Sequence, residues 1–307
     1  MALSVSETRV DEEDAALLAL LRHHPDRPGW PEIAAQVVEA GSALAVWERL
    51  DPASQALFDI GHSPLDAAHA DLQRWRAEGL TVLTVLDADY PAQLREVHEM
   101  PPILFCRGTL VPDDRGISIV GSRRAEAEAL AFAREVAEGL VAEGLSVLSG
   151  LARGIDTAAH TAALARGGRT VAFLGTGIHG SYPPENRELQ SRIAREGLLV
   201  SQFWPDAPAQ KHTFPMRNAV MSGYGRATVV VAADETSGSR TQARFAVEHG
   251  RPVILHSSVA RTTSWGKALV RRPGVYVASE PDEVLALARD VSRPLDETVD
   301  ELLAGLR

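Results

Sequence analysis

From residue 116 onward the chain alternates two kinds of apolar pattern. Short, nearly unbroken runs rich in β-branched residues occur at GISIVG (116–121), LSVLSG (145–150), RTVAFLG (169–175), LLVSQF (198–203), ATVVVAA (227–233) and RPVILH (251–256). Such runs fit strands buried on both faces. Between them lie stretches with apolar positions at helical spacing: 127–144, 156–168, 183–197 and 237–250. All four close on a glycine, a common helix C-terminal signal, and the segment at 156 opens on an aspartate suited to an N-cap. Strand and helix alternate about every 25–30 residues, the size of a βα unit. The pattern predicts an α/β fold with a doubly wound, mostly parallel sheet.

Upstream, TVLTVLD (81–87) and ILFCRG (103–108) predict two further strands of the same sheet. Residues 12–77 carry short helical stretches broken by proline and glycine. The expected division is a small all-helical domain over 1–78, an α/β domain over 79–290 that ends in a helix at 281–290, and a short tail over 291–307.

Charge changes this picture only locally. The formal net charge is -10, which argues against a uniformly basic nucleic-acid binder. The acidity is concentrated at the N-terminal end, where residues 1–110 hold 18 acidic and 8 basic residues. Residues 111–290 hold 21 basic and 19 acidic residues, so a local basic groove fits there. Of the 31 basic residues only Lys211 and Lys267 are lysines. The single cysteine, Cys106, permits no intramolecular disulfide. The N-terminus is acidic where a secretory signal would be basic, and no apolar run approaches the roughly 20 residues of a membrane helix. A cytoplasmic protein without membrane contact is expected.

In an open α/β sheet, ligands bind beyond the carboxyl ends of the strands, so the chemistry is sought in the loops that follow them. After the first βα-type strand, Gly121, Ser122 and Arg123 make a phosphate site at a helix start, with Arg124 facing solvent. After the second, Gly150 and Gly154 bracket Arg153 and aim it over the sheet edge. Asp156 and His160, one helical turn apart, are read as a cap and a packed histidine, and no metal is expected. After the third, Gly175 and Gly177 form a narrow turn, and Tyr182 either stacks on a base or packs. After the fourth, Lys211, Phe214 and Arg217 sit three apart and Asn218 follows. Cations that track phosphates beside a ring that stacks on bases are recurring equipment for single-stranded nucleic acid. After the fifth, Ser237, Gly238 and Ser239 form a further anion nest or a helix cap. No nucleophile–base pair stands out, and neither an enzyme nor a cofactor is expected.

The stretches YPAQL (90–94), PPILFCRG (101–108), IVGSR (119–123), SGLARGIDTAAH (149–160), GTGIHGSYPPEN (175–186) and FPMRN (214–218), with SGSRT (237–241) more loosely, resemble the DNA-processing protein A (Smf) family. The resemblance runs in order over about residues 80–270. It implies an extended Rossmann-like domain that dimerises and binds single-stranded DNA, preceded by a small helical domain of the sterile-alpha-motif or helix-hairpin-helix kind. It also implies a RecA-type recombinase as partner in natural transformation. The family's DNA-contacting arginine falls on Arg123, and its lysine and phenylalanine on Lys211 and Phe214. Arg153, Arg217 and Asn218 would support the groove.

The chain departs from the pattern at Ala219, where the family usually has arginine, at Gln202, where it commonly has glutamate, at Arg240, and through HSSVARTTSWGK after the sixth run. The winged-helix module of many members has no counterpart in the expected tail. Two alternatives accompany the leading reading. One is a Rossmann-like phosphoribohydrolase, although ETSGSRTQA lacks the final acid of that motif. The other is a nucleotide-sensing module of a defence system.

Overall fold

A computed structural model of the protein describes residues 5–24, 26, 28–50 and 63–293. Strands β1 (Thr81–Thr84), β2 (Ile103–Gly108), β3 (Gly116–Gly121), β4 (Ser146–Ser149), β5 (Thr170–Phe173), β6 (Leu198–Ser201), β7 (Ala227–Ala232), β8 (Val253–His256) and β9 (Val275–Ala278) form one nine-stranded sheet in the order β1-β2-β6-β5-β4-β3-β7-β8-β9. From β6 to β9 every pairing is parallel. β2 runs antiparallel to β6, and β1 antiparallel to β2. The expected doubly wound, mostly parallel sheet is therefore present. The pattern missed β9, because this four-residue edge strand leaves Tyr276 and Val277 exposed and carries no continuous buried run.

The central strands form where the apolar runs predict them, since both faces are covered. Ile117 and Ile119 on one face of β3 pack with Val136, Ala137 and Leu140 of α5 (Ala127–Ala142). Complete burial of side chains of this size contributes about 1.5–3 kcal/mol each. α6 (Ile155–Ala165) follows β4, and α7 (Arg187–Glu196) follows a 3₁₀ turn at Pro184–Asn186. α8 (Thr213–Tyr224) and α9 (Gly238–Glu248) flank β7, and α12 (Pro281–Val291) closes the described chain after the short α10 (Ser257–Thr262) and α11 (Ser264–Leu269).

The N-terminal helices α1 (Val5–His23), α2 (Trp30–Ala40), α3 (Ala43–Glu48) and α4 (Pro64–Ala77) cover the antiparallel end of the sheet. Leu17, Leu20, Ile33 and Val37 belong to the same hydrophobic cluster as Leu83 of β1 and Leu104 of β2. Trp75 of α4 meets Phe105 of β2 edge to face, with centroids 5.0 Å apart. Helix gives way to strand between Ala77 and Thr81, yet the apolar core runs across that change. The expected tail at 291–307 lies outside the described residues apart from Val291, Ser292 and Arg293. Among the described residues no helix is long and apolar enough to cross a membrane.

Candidate nucleic-acid interface

β3 pairs with β4 on one side and β7 on the other, so the winding direction reverses at β3. Loops leaving adjacent strands at such a point diverge and open a crevice. Here that crevice is a cleft of about 920 Å³, bordered by Gly121–Arg124, Ala152–Arg153, the inner face of α8 and Asp234–Gln242.

Two loops are locked together at its base. Gly154 has φ +76°, and a Cβ there would collide with the Ser122 carbonyl oxygen. That oxygen accepts from Ile155 N at 3.3 Å. The close approach fixes the backbone that carries Arg123. Ser122 Oγ accepts from Arg124 N at 3.1 Å, so its hydroxyl helps shape its own turn.

Arg123 and Phe214 meet across the cleft, with the guanidinium carbon 5.8 Å from the ring centroid. Phe214 lies over Gly175, where a Cβ would come within 2.7 Å of Cδ1. Thr213 Oγ1 donates to the Gly175 carbonyl and holds the start of α8 in place. Tyr182 stands beside Phe214, 5.3 Å between centroids, and is 44% exposed. Tyr182 thus packs against a neighbouring ring and still presents surface to solvent, which fits either alternative. The result is a half-buried phenylalanine ring with a guanidinium over it and an exposed tyrosine ring alongside.

Arg217 departs from the sequence expectation of a phosphate ligand. It is buried, and its Nη1 donates to the carbonyls of Phe173, at 2.7 Å, and Gly150. Its Nε donates to Asn218 Oδ1 at 3.0 Å. Burial draws its pKa down to about 10, with Asp156 opposing the change and Arg123 adding to it, so the group is cationic at neutral pH. It is a strut beneath the cleft that ties the ends of β4 and β5 to α8. Asn218 is likewise engaged, its Nδ2 donating to the Gly238 carbonyl at 3.4 Å.

Asp156 caps the β4 loop rather than its own helix. Its Oδ2 accepts from Gly150 N at 3.1 Å and Ala152 N at 3.2 Å. Burial pushes its carboxyl up, while Arg217 and these N–H groups oppose the shift. His160 Nδ1 lies 2.6 Å from Thr170 Oγ1, whose hydrogen goes to the Val147 carbonyl at 2.7 Å. The imidazole therefore donates there, and burial lowers its pKa to about 3. Asp156 and His160 thus have separate packing roles. Among the described residues no cluster of three or more histidine, cysteine or acidic side chains is placed to hold a metal.

The remaining expected residues divide between the cleft and its surroundings. Ser237, Gly238 and Ser239 line the cleft at the start of α9, where Ser237 Oγ accepts from Ser239 N at 3.3 Å. Arg153 is exposed at the rim and pairs with Glu185 at 3.4 Å. Gly177 packs against the backbone of Trp204 and Pro205, away from the cleft lining. Lys211 is exposed in the turn before α8 and is not among the residues that line the cleft. Sequence reasoning missed Asn186, whose Nδ2 donates to the Leu151 carbonyl at 2.9 Å and to Thr157 Oγ1 at 2.9 Å. It steadies Leu151, which holds φ +57°. The sequence signal was an asparagine at the end of a Pro-Pro turn, which suggests a turn but no distant partner.

Residues 81–289 match the family described as DNA recombination-mediator protein A. The chain is 36% identical to the DNA processing protein DprA of Streptococcus pneumoniae over 233 residues, 75% of this chain and 81% of that protein. It is 39% identical over 179 residues to Protein Smf of Synechocystis, covering 56% of this chain and 44% of that longer relative. The crystal structure of the S. pneumoniae protein superposes with a TM-score of 0.63 at 26% identity, over 93% of this chain and 98% of that one. The DprA of Helicobacter pylori, described for its single-stranded DNA binding mode, shares the fold with a TM-score of 0.61 at 22% identity, over 69% of this chain and 96% of that one. The match covers the whole of the sheet and every loop around the cleft, and on that ground the chain belongs to the DNA recombination-mediator protein A family.

Proposed function

We propose that the cleft and the adjoining start of α8 bind single-stranded DNA, in a non-catalytic role in DNA uptake or recombination in the cytoplasm. The observation that carries this reading is Arg123 poised over Phe214, with Tyr182 alongside, at the point where the sheet reverses its winding. A cation beside one exposed and one half-buried ring suits a strand with unstacked bases, because phosphates take the charge and bases take the faces. A duplex hides those faces. In this reading Arg123 and Lys211 hold phosphates, Phe214 stacks on a base, and Arg153 and Arg124 enlarge the positive rim. Gly121, Ser122 and the Ser237–Ser239 turn offer polar contacts, while Gly150, Gly154 and Gly175 let the loops approach. The single-stranded DNA binding mode of the H. pylori relative agrees with this role. The family match gives no support to the phosphoribohydrolase-like or nucleotide-sensing alternatives.

The same reading includes a RecA-type recombinase as partner, on the strength of the family resemblance, and a homodimer. For the dimer, the supporting feature is the edge strand β9, which exposes Tyr276 and Val277 at the end of the sheet. Fluorescence anisotropy with single- and double-stranded DNA side by side tests the central claim. Preferential binding of the single strand, abolished by Arg123→Glu, is the expected result. Equal binding of both forms, or an unaffected Arg123→Glu variant, overturns it.

A further inference from the structure

The loop that follows β7 forms one wall of the cleft through Asp234, Thr236, Ser237 and Gly238. The short helix α11 grips this loop. Ser264 donates its N–H and its hydroxyl to the Glu235 carboxylate, and Trp265 Nε1 donates to the Asp234 carbonyl at 3.1 Å. Those contacts bring Lys267, one turn further along α11, to the loop. At the other end of the loop α9 begins, and Arg240 stands in its first turn, next to the cleft-lining Ser239. Arg240 and Lys267 are both exposed, and among the described residues neither side chain makes a hydrogen bond or a salt bridge. The Glu235 carboxyl lies below the usual carboxylate range. The two bonds from Ser264 are the main cause, and the charges of Arg240 and Lys267 add to it, so both cations lie within electrostatic reach of one carboxylate.

The sequence around Lys267 is unusual for this chain. Between Glu248 and Glu280 there are five arginines and lysines and no acidic residue, in a protein of net charge -10. One of the five, Arg251, pairs with Glu96 at 2.7 Å, and the other four are exposed. The acids of the cleft loop are already engaged: Asp234 Oδ1 accepts from Thr236 N at 2.8 Å, and Glu235 is held by Ser264. Exposed cations without partners are what a phosphate backbone pairs with, because each contact releases a condensed counterion. Resting on the single-strand reading above, we propose that Arg240 and Lys267 form a second phosphate site, which carries the strand out of the cleft, across the Ser237 turn and on to α11. Arg123 holds the strand where β3 ends, and the second site lies at the cleft wall that follows β7, so one backbone meets both in turn. Trp265 of α11 is buried, so the contact is to phosphate and is indifferent to base. Both cations lie in stretches where the chain departs from the family pattern.

Lys211 and Lys267 are the only lysines of the chain, which makes a footprint easy to read. The protein is treated with a lysine-acylating reagent, alone and with oligothymidylates of increasing length, and modification of each lysine is followed by mass spectrometry. The expected result is that the shortest oligonucleotide that binds protects Lys211 alone, while longer ones protect Lys267 as well. In parallel, a double variant with Arg240→Gln and Lys267→Gln is expected to lower the slope of log affinity against log salt by about 1.4 for the longest oligonucleotide, two contacts at about 0.7 each, and to leave it unchanged for the shortest. Acylation of Lys267 at the same rate with and without the longest oligonucleotide, or a double variant with the wild-type slope at every length, overturns the second site. Protection of Lys267 by polyglutamate but by no oligonucleotide also overturns it, and gives this surface to an acidic protein segment instead. In each of these outcomes, binding that still depends on Arg123 leaves the single-strand reading standing. A wild type that binds no oligonucleotide of any length overturns both.

Discussion

Arg217 and Gly150 are joined beneath the cleft: the arginine's Nη1 donates to the Gly150 carbonyl, and any Cβ at 150 would collide with that guanidinium. The absence of a side chain at 150 is what admits the strut. The consequence is that Arg217 acts on stability, whereas Arg123, three loops away in sequence, is free to meet a ligand.

Gly150→Ala is therefore expected to destabilise the fold by on the order of 1–3 kcal/mol, as overpacking of a filled site does. Arg217→Met should cost more, about 3–5 kcal/mol, since Asp156 and two carbonyls lose a buried partner. Urea unfolding measures both. Native-like stability of Arg217→Met would show that the guanidinium carries no structural burden.

Arg123→Glu and Lys211→Glu should leave urea midpoints unchanged and remove binding of a single-stranded oligonucleotide. The neutral variants Arg123→Gln and Lys211→Gln should each lower the slope of log affinity against log salt by about 0.7, the figure for one phosphate contact on a single strand. Titrations at several salt concentrations check this. An unchanged slope removes the residue from the phosphate path.

Phe214→Ala should weaken binding by about 1–3 kcal/mol, the range for one base on one ring. Tyr182→Ala should weaken it less. Because the rings are 5.3 Å apart, the double variant is expected to lose less than the two single losses added. A double-mutant cycle measured by anisotropy decides it, and strict additivity would mean that the two rings act on separate bases.

Asp14 gives the fold a pH dependence of unusual sign. Its carboxyl is 2.6 Å from Arg76 Nη2, yet burial, with the charge of Asp87 adding, pushes its pKa from the ordinary 3.8 to about 7. The folded state thus holds the proton more tightly than the unfolded chain. This group's contribution is greatest below about pH 4, falls as the pH rises toward 7, and is flat above that. Asp14→Asn should flatten that part of the profile, which urea midpoints at pH 5 and pH 8 for both proteins would show. A wild-type profile parallel to that of the variant would refute the assignment.

Much of the fold was legible in the sequence because burial on both faces of a parallel sheet writes itself into continuous apolar runs, as in β3, β7 and β8. β9 escaped because an edge strand needs no such run. The candidate loops were legible for a related reason. Once strand ends are known, Gly121–Arg123, Gly150–Gly154 and Ser237–Ser239 must lie along one side of the sheet. What the chain determined unaided was the alternation of elements and the chemical types available at the sheet's carboxyl edge. Only the tertiary structure decided which of those side chains face outward. Arg123 rises over Phe214, Arg217 turns down into the strand carbonyls, and Lys211 stands outside the cleft. Local pattern records whether a residue tends to be buried. Its partners depend on how distant loops cross, and that is settled by sheet order and helix packing, which no short stretch of sequence contains.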